Sequence, residues 1–188
     1  GQVSSELLGK DVFQEADIIG SAEPFVKYSY LVRDAREIPR IFKEAFHIAS
    51  TGRRGPVLID VPLDVQQKQI EYVPVNEVSI RGYKPTVKGN NLQIRKVVDV
   101  LSRAGKPLIC VGGGTILGNG EQVVREFANK FHIPVVSTMM GIGVMPNEDP
   151  LYMGMLGTNG KPHANYAVHE CDVLVLVGAR VADRAVVK

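Results

Sequence analysis

Four short runs constrain the fold of this chain most. They are PVLIDVP (56–62), PLICV (107–111), PVVST (134–138) and VLVLV (173–177). None alternates polar with apolar residues. Such runs suit strands buried on both faces, the condition of a parallel sheet between helices. Amphipathic segments stand around them. From Asp34 to Ser50, the apolar residues Ile38, Ile41, Phe42, Ala45, Phe46 and Ala49 recur at helical spacing. Asp34 and Glu37 form a capping-box pattern, and Gly52 can close the helix in a left-handed cap. Asn91 to Ala104 presents Ile94, Val97, Val98 and Leu101, and Glu121 to Phe131 presents Val124, Phe127, Ala128 and Phe131. A helix over 162–170 presents Ala164, Ala167 and Val168. Strands alternating with helices predict an α/β protein with a doubly wound, Rossmann-like parallel sheet.

This pattern divides the chain. Residues 90–188 carry three of the strands and form the doubly wound domain. Residues 67–89 lose periodicity and contain two prolines, which predicts an extended linker. Residues 1–66 hold one strong strand, 56–62, preceded only by weak strand character near Val26 to Val32. A lone buried strand leaves its backbone groups unpaired. Residues 1–66 are therefore expected to be the end of a second, larger α/β domain. The last strand has no covering helix after it, so the second domain is also expected to be incomplete.

Composition excludes several functions. A net charge of +2 without a basic run does not suit nucleic acid. No apolar run reaches the roughly 18 residues of a membrane span, and no signal peptide is recognisable. Cys110 and Cys171 match no zinc spacing and read as small buried hydrophobes of a reducing, cytoplasmic setting. His47, His132, His163 and His169 lack metal-ligand spacing and read as structural or solvated. No metal site is expected within the chain.

The chemistry is expected at the carboxyl ends of the strands, where open parallel sheets bind ligands. Three ends are unusual: VGGGT (111–115), STMMGIG (137–143) and VGARVADR (177–184). MLGTNGKPHANYAV (155–168) adds a fourth loop. Gly112 and Gly114 supply two glycines of a dinucleotide fingerprint, but Leu117 stands at the third position and no ribose-binding acid follows. Standard NAD chemistry is thus missing. The glycines could serve tight turns alone, but the four loops together suit a nucleotide-like ligand. Asp183 and Arg184 follow a central strand, where charge serves either function or a local ion pair.

FQEAD (13–17), GRRGPVLIDVPLDVQ (52–66), VGGGTI, STMMGIGVMP, MGMLGTNGKPHANYAV and GARVADR resemble, in order and spacing, the acetolactate (acetohydroxyacid) synthase family. These are large catalytic subunits of thiamine-diphosphate enzymes. The resemblance covers essentially the whole chain. It implies that residues 1–66 end the domain binding the thiamine pyrimidine and that residues 90–188 begin a central domain binding FAD. It implies flavin contacts at Arg53, Gly112, Gly113, Gly114, Thr138, Met139, Leu156, Gly157, Thr158, Asn159, Gly178, Ala179, Arg180 and Asp183. Phe13 and Gln14 match residues facing the reaction centre from the neighbouring subunit. Arg184 matches the arginine near the carboxylate of the incoming 2-oxo acid.

The implied reaction decarboxylates pyruvate and joins the remainder to a second 2-oxo acid, pyruvate or 2-oxobutyrate, in branched-chain amino acid biosynthesis. The implied cofactors are thiamine diphosphate, FAD and Mg2+. The activating glutamate and the Mg2+ site are expected outside this chain, which alone is then inactive. A homodimer or homotetramer is implied, with room for a small regulatory subunit. Leu63, Ser4, Thr158, Asn159, Val181 and Ala182 depart from the usual residues, and Thr158 and Val181 leave the channel less filled. A 2-oxo acid decarboxylase, a glyoxylate carboligase and a non-catalytic nucleotide-binding module are the alternatives.

Overall fold

The apolar runs are strands in the computed structural model, which describes residues 2–182. Those residues fall into two compact units that divide between Lys88 and Gly89. No helix among them is long and apolar enough to cross a membrane.

The first unit contains α1 (Ile18–Ala22), β1 (Tyr28–Leu31), α2 (Ile38–Ser50), β2 (Val57–Asp60) and α3 (Leu63–Gln67). β1 and β2 run parallel, Tyr28 opposite Val57 and Leu31 opposite Asp60. This corrects the expectation that the strand over 56–62 lacks a partner within residues 1–66. The partner is the weak stretch near Val26 to Val32. YSYL reads poorly because it is short and mixes aromatic with polar residues. It becomes a strand because the α2 crossover brings it beside β2. Val32, Ala35, Ile41 and Val65 are buried together, with Tyr30, Ile38, Ile59 and Val61 packed against them.

Asp34 caps the helical segment, accepting from the Arg36 N–H at 3.0 Å. Glu37 does not complete a capping box; it pairs with Arg40 at 2.7 Å. Residues Ala35–Glu37 form a 3-10 turn instead, and proline stands in the first turn of α2. Gly52, just past the helix, is left-handed at φ +56°.

No regular element spans the stretch between α3 and the next helix, but the stretch is not loose. Lys43 Nζ donates to the carbonyls of Val75 and Asn76, the latter at 3.0 Å. Lys27 Nζ donates to the Tyr83 hydroxyl at 2.7 Å and to the Ile48 and Thr51 carbonyls at the end of α2, both at 2.6 Å.

The second unit contains α4 (Asn91–Arg103), β3 (Pro107–Val111), α5 (Gly113–Leu117), α6 (Glu121–Phe131), β4 (Val135–Ser137), β5 (Tyr152–Met155), α7 (Pro162–Glu170) and β6 (Val173–Val177). Its sheet has the order β5-β4-β3-β6, with every pair parallel. The chain enters at β3, moves outward to β4 and β5, then returns to β6 on the other side of β3. The strand order therefore reverses between β3 and β6.

The two faces separate by strand periodicity. Ile109 and Val111 of β3 pack with Val124 and Ala128 of α6. Leu108 and Cys110 pack with Ala164 of α7. Each fully buried aliphatic side chain contributes about 1.5–3 kcal/mol, so these two layers dominate the unit's stability.

Two features differ from expectation. None of the α4 residues is buried; Ile94, Val97 and Val98 are 51%, 47% and 59% exposed. An apolar stripe specifies the helix and its apolar face, but burial requires an opposing surface, which no described element supplies. β5 is absent from the sequence reading. Its YMGM carries Gly154 at φ +89°, and its pairing with β4 is irregular between Val135 and Ser137. Glycine and methionine conceal a strand of that kind.

Candidate functional site

Parallel pairing brings the carboxyl ends of β4, β3 and β6 side by side. The loops that follow are bonded to one another. Gly112 N–H donates to Val177 O at 3.0 Å, Gly114 N–H to Gly178 O at 2.8 Å and Thr138 N–H to Val111 O at 2.9 Å. The Thr115 hydroxyl donates to Val177 O at 2.8 Å.

The glycines have a packing reason here. A Cβ on Gly112 would lie 2.4 Å from Gly178 O and 2.5 Å from Ala179 Cα. A Cβ on Gly114 would lie 2.8 Å from Gly178 Cα, and one on Gly178 would lie 2.2 Å from Thr115 N. The space that glycine leaves is taken by protein backbone. The Gly114 amide, which a phosphate would need, already has an acceptor. Gly112 and Gly114 thus have a packing reason that holds with or without a ligand.

A cavity of about 390 Å³ opens beside β6, on the sheet face that carries α7. Leu174 and Leu176 of β6 form one wall, and Asn165, Val168 and His169 of α7 another. Cys110 lies at its floor; Thr138, Leu156, Ala179, Arg180 and Val181 come from the strand-end loops. Four of the flavin contacts implied by the resemblance therefore meet here, Thr138, Leu156, Ala179 and Arg180, beside Val181. Gly112, Met139, Gly157, Thr158, Asn159 and Gly178 follow the same strand ends, and Gly113 and Gly114 open α5, without lining the cavity.

Several lining residues escaped the sequence reading. Leu174 and Leu176 are legible as one face of a strand, and Asn165, Val168 and His169 as one helical face (i, i+3, i+4). Asn165 has a further role. Its Oδ1 accepts from Gly157 N–H at 2.8 Å and its Nδ2 donates to Gly157 O at 3.0 Å. This ties the left-handed Gly157, at φ +104°, to α7. His169, expected to be solvated, is exposed and also borders the cavity. Burial pushes the Cys110 thiol up to about 11, so it stays neutral near pH 7 and is a wall rather than a nucleophile.

Phe13, Gln14 and Arg53 belong to the first unit and are all exposed. Asp183 and Arg184 lie outside the described residues.

A four-stranded parallel sheet with helices on both faces, and a largely apolar cavity beside the strand at which the order reverses, defines a doubly wound domain of the open α/β class. The sequence profile described as the thiamine pyrophosphate enzyme central domain matches residues 94–188. The chain belongs to that family of thiamine pyrophosphate enzymes. Among curated relatives it is 49% identical to an acetolactate synthase of Arthrospira platensis, over 98% of this chain and 33% of the relative. It is 45% identical to the acetolactate synthase large subunit of Buchnera aphidicola subsp. Schizaphis graminum, with the same coverage, 98% and 33%. A crystal structure of a candidate thiamin diphosphate-dependent enzyme from Mycobacterium smegmatis matches with a TM-score of 0.76 at 25% identity, over 97% of this chain and 35% of that one. The chain spans about a third of the length of these curated relatives.

Proposed function

We propose that this chain is part of an acetolactate synthase, which decarboxylates pyruvate and joins the remaining two-carbon unit to a second 2-oxo acid. One observation carries the reading: identity of 49% and 45% to two such enzymes, sustained over 98% of the chain. Bound thiamine diphosphate supplies the nucleophilic carbon for this chemistry. In this reading Phe13 and Gln14 would face the reacting carbon, and Arg184 would hold the carboxylate of the incoming 2-oxo acid.

FAD is the second ligand of the proposal. The cavity volume falls within the roughly 300–1,000 Å³ of small-molecule sites. Leu174, Leu176, Leu156 and Val168 supply the apolar lining an aromatic ring system requires, and Arg180 and Thr138 add polar groups. Its largely apolar lining suits the ring rather than the diphosphate, so the ring is assigned to this cavity. Arg53, Asp183 and the Gly157–Asn159 turn remain flavin contacts by resemblance, and Arg184 a carboxylate-binding group. Among the described residues no three His, Cys, Asp or Glu side chains gather to hold a metal, so Mg2+ is assigned no residue here. A cytoplasmic setting fits two free cysteines. An oligomer with a small subunit fits a relative named as a large subunit.

The test is a carboligation assay of the full-length gene product with pyruvate, thiamine diphosphate, Mg2+ and FAD. Acetolactate is the expected product. Acetaldehyde from pyruvate, or turnover of glyoxylate in its place, would instead assign a decarboxylase or a glyoxylate carboligase. Arg180→Ala should weaken FAD binding by about 10-fold, the loss of one charge-assisted contact.

A further inference from the structure

The first unit has a ligand edge of its own, and its N-terminal segment lies along it. Gln2 forms a parallel bridge with Pro62, immediately past β2. Its Nε2 donates to Asp60 Oδ2 at 2.9 Å and to Ala16 O at 3.1 Å. The Ser5 amide and hydroxyl donate to Asp64 Oδ1 at 2.7 and 2.9 Å. Asp60 ends β2 and is 9% exposed. The turn that ends at Ala16 is thereby tied to the carboxyl end of a parallel pair, the edge at which such sheets bind ligands.

The backbone of this turn is unusual. Gly9, Asp11 and Gln14 are all left-handed, at φ +78°, +53° and +66°. Two of the three are not glycine. Such conformations persist only where the surroundings fix them, and they cluster at functional sites. One side chain does the fixing. Glu15 Oε1 accepts from the Gly9 amide, and Oε2 from the Val12 amide at 3.2 Å. The Glu15 amide closes the turn on Val12 O at 3.0 Å. The Gly9 bond is also the first cause holding the Glu15 carboxyl below its ordinary 4.5. At the tip of this tied turn Phe13 is 89% exposed.

We infer that Glu15 is a positioning residue, whose carboxylate gathers two amides to hold Phe13 and Gln14 at the carboxyl edge of the first sheet for contact with the 2-oxo acid. The inference rests on the proposed carboligation and on the resemblance by which Phe13 and Gln14 match residues facing the reaction centre from the neighbouring subunit. Pyruvate and 2-oxobutyrate differ by one methylene. Only an apolar surface held in place can discriminate on so small a difference. A loosened turn gives up that discrimination.

Glu15→Gln in the full-length gene product tests this. A carboxamide is uncharged and has one acceptor oxygen where the carboxylate has two, so neither amide keeps a charge-assisted bond. The Gly9 and Val12 amides should exchange with solvent about 10-fold faster, since a charge-assisted bond is lost. In competition between pyruvate and 2-oxobutyrate as acceptors, the product ratio should shift by about threefold or more. Glu15→Asp, shorter but charged, should fall between. A purely structural role lowers both products in proportion and leaves the ratio unchanged. Unchanged amide exchange would overturn the inference, and so would faster exchange with an unchanged ratio. A wild-type protein that forms no carboligation product rejects the proposed function itself, and the exchange measurement separates the two failures.

Discussion

At the scale of single residues, acids in this chain serve the backbone more than each other. Glu15, Asp34, Asp64 and Asp172 each accept from main-chain amides, and each carboxyl is held below its ordinary range, that of Asp34 first by the Arg36 side chain and then by the Arg36 amide. None of these roles was legible in the sequence except that of Asp34, whose position before a helix announces a cap. Asp64 and Asp172 accept from amides 59 and 67 residues away, which no local pattern records, and Glu15 stands outside any helix where an acid would announce itself. The glycines were legible as a cluster but not as to cause. Gly112 lies in ordinary extended backbone, φ −126° and ψ −176°, so substitution there is a question of space alone. Gly112→Ala forces a methyl group against Gly178 O and Ala179 Cα, both backbone positions. It should cost about 2–3 kcal/mol, the upper part of the overpacking range. Gly113→Ala meets only the Met140 Cβ at 3.0 Å and the Met140 carbonyl at 3.3 Å, in a turn whose Met140 is 72% exposed. It should cost less than half as much. Urea titration of both variants checks this; equal midpoints would remove the packing argument.

At the scale of elements, what the sequence made legible depended on how many neighbours an element has. β3 sits between two strands and beneath α6 and α7, so each PLICV residue must be apolar, and the pattern names the strand without help. Among the described residues β1 pairs with β2 alone, and its Tyr30 hydroxyl donates to Glu44 at 3.0 Å. α4 shows the converse: its stripe was plain, while its exposure depends on surfaces a helical pattern does not contain. The cavity was legible as a place, the strand ends, but half its wall comes from α7 and β6 side chains that also fit a featureless core. The amino ends of β3 and β6 are joined in a way that gives a pH dependence. Asp172 accepts from the Gly105 N–H at 2.6 Å and the Lys106 N–H at 2.9 Å. The Gly105 bond, first, lowers its carboxyl below the ordinary 3.8. A depressed carboxyl stabilises the fold fully above the unfolded value and ceases to do so as pH falls through the folded one. Asp172→Asn should therefore unfold at lower denaturant than the parent at neutral pH, and the gap should close well below 3.8. A gap that persists into acid would mean that the contact acts by shape rather than by charge.

At the scale of the whole molecule, the two units divide the proposed chemistry. The first carries the turn of Phe13 and Gln14, the second the apolar cavity. Neither holds, among its described residues, a cluster fit for a metal. The chain spans about a third of its acetolactate synthase relatives. A reaction that depends on thiamine diphosphate and Mg2+ needs the groups that bind them, and effective positioning is worth many orders of magnitude in rate. The 188-residue chain alone should therefore form no acetolactate from pyruvate above a protein-free control, even with thiamine diphosphate, Mg2+ and FAD supplied. The second unit should still fold, because its buried layers, Ile109 and Val111 with α6 and Leu108 and Cys110 with α7, lie wholly within it. Its FAD affinity should be weak, since Leu174 and Leu176 leave one wall of the cavity 38% and 43% exposed. Burial against both faces of a ring, not one, is what gives such pockets their affinity. Fluorescence titration of this chain beside the full-length gene product, with circular dichroism to establish folding, decides the point. A folded chain that binds FAD as tightly as the full-length product would show the cavity to be complete as described. Acetolactate from the chain alone would show that all the essential groups lie within these 188 residues.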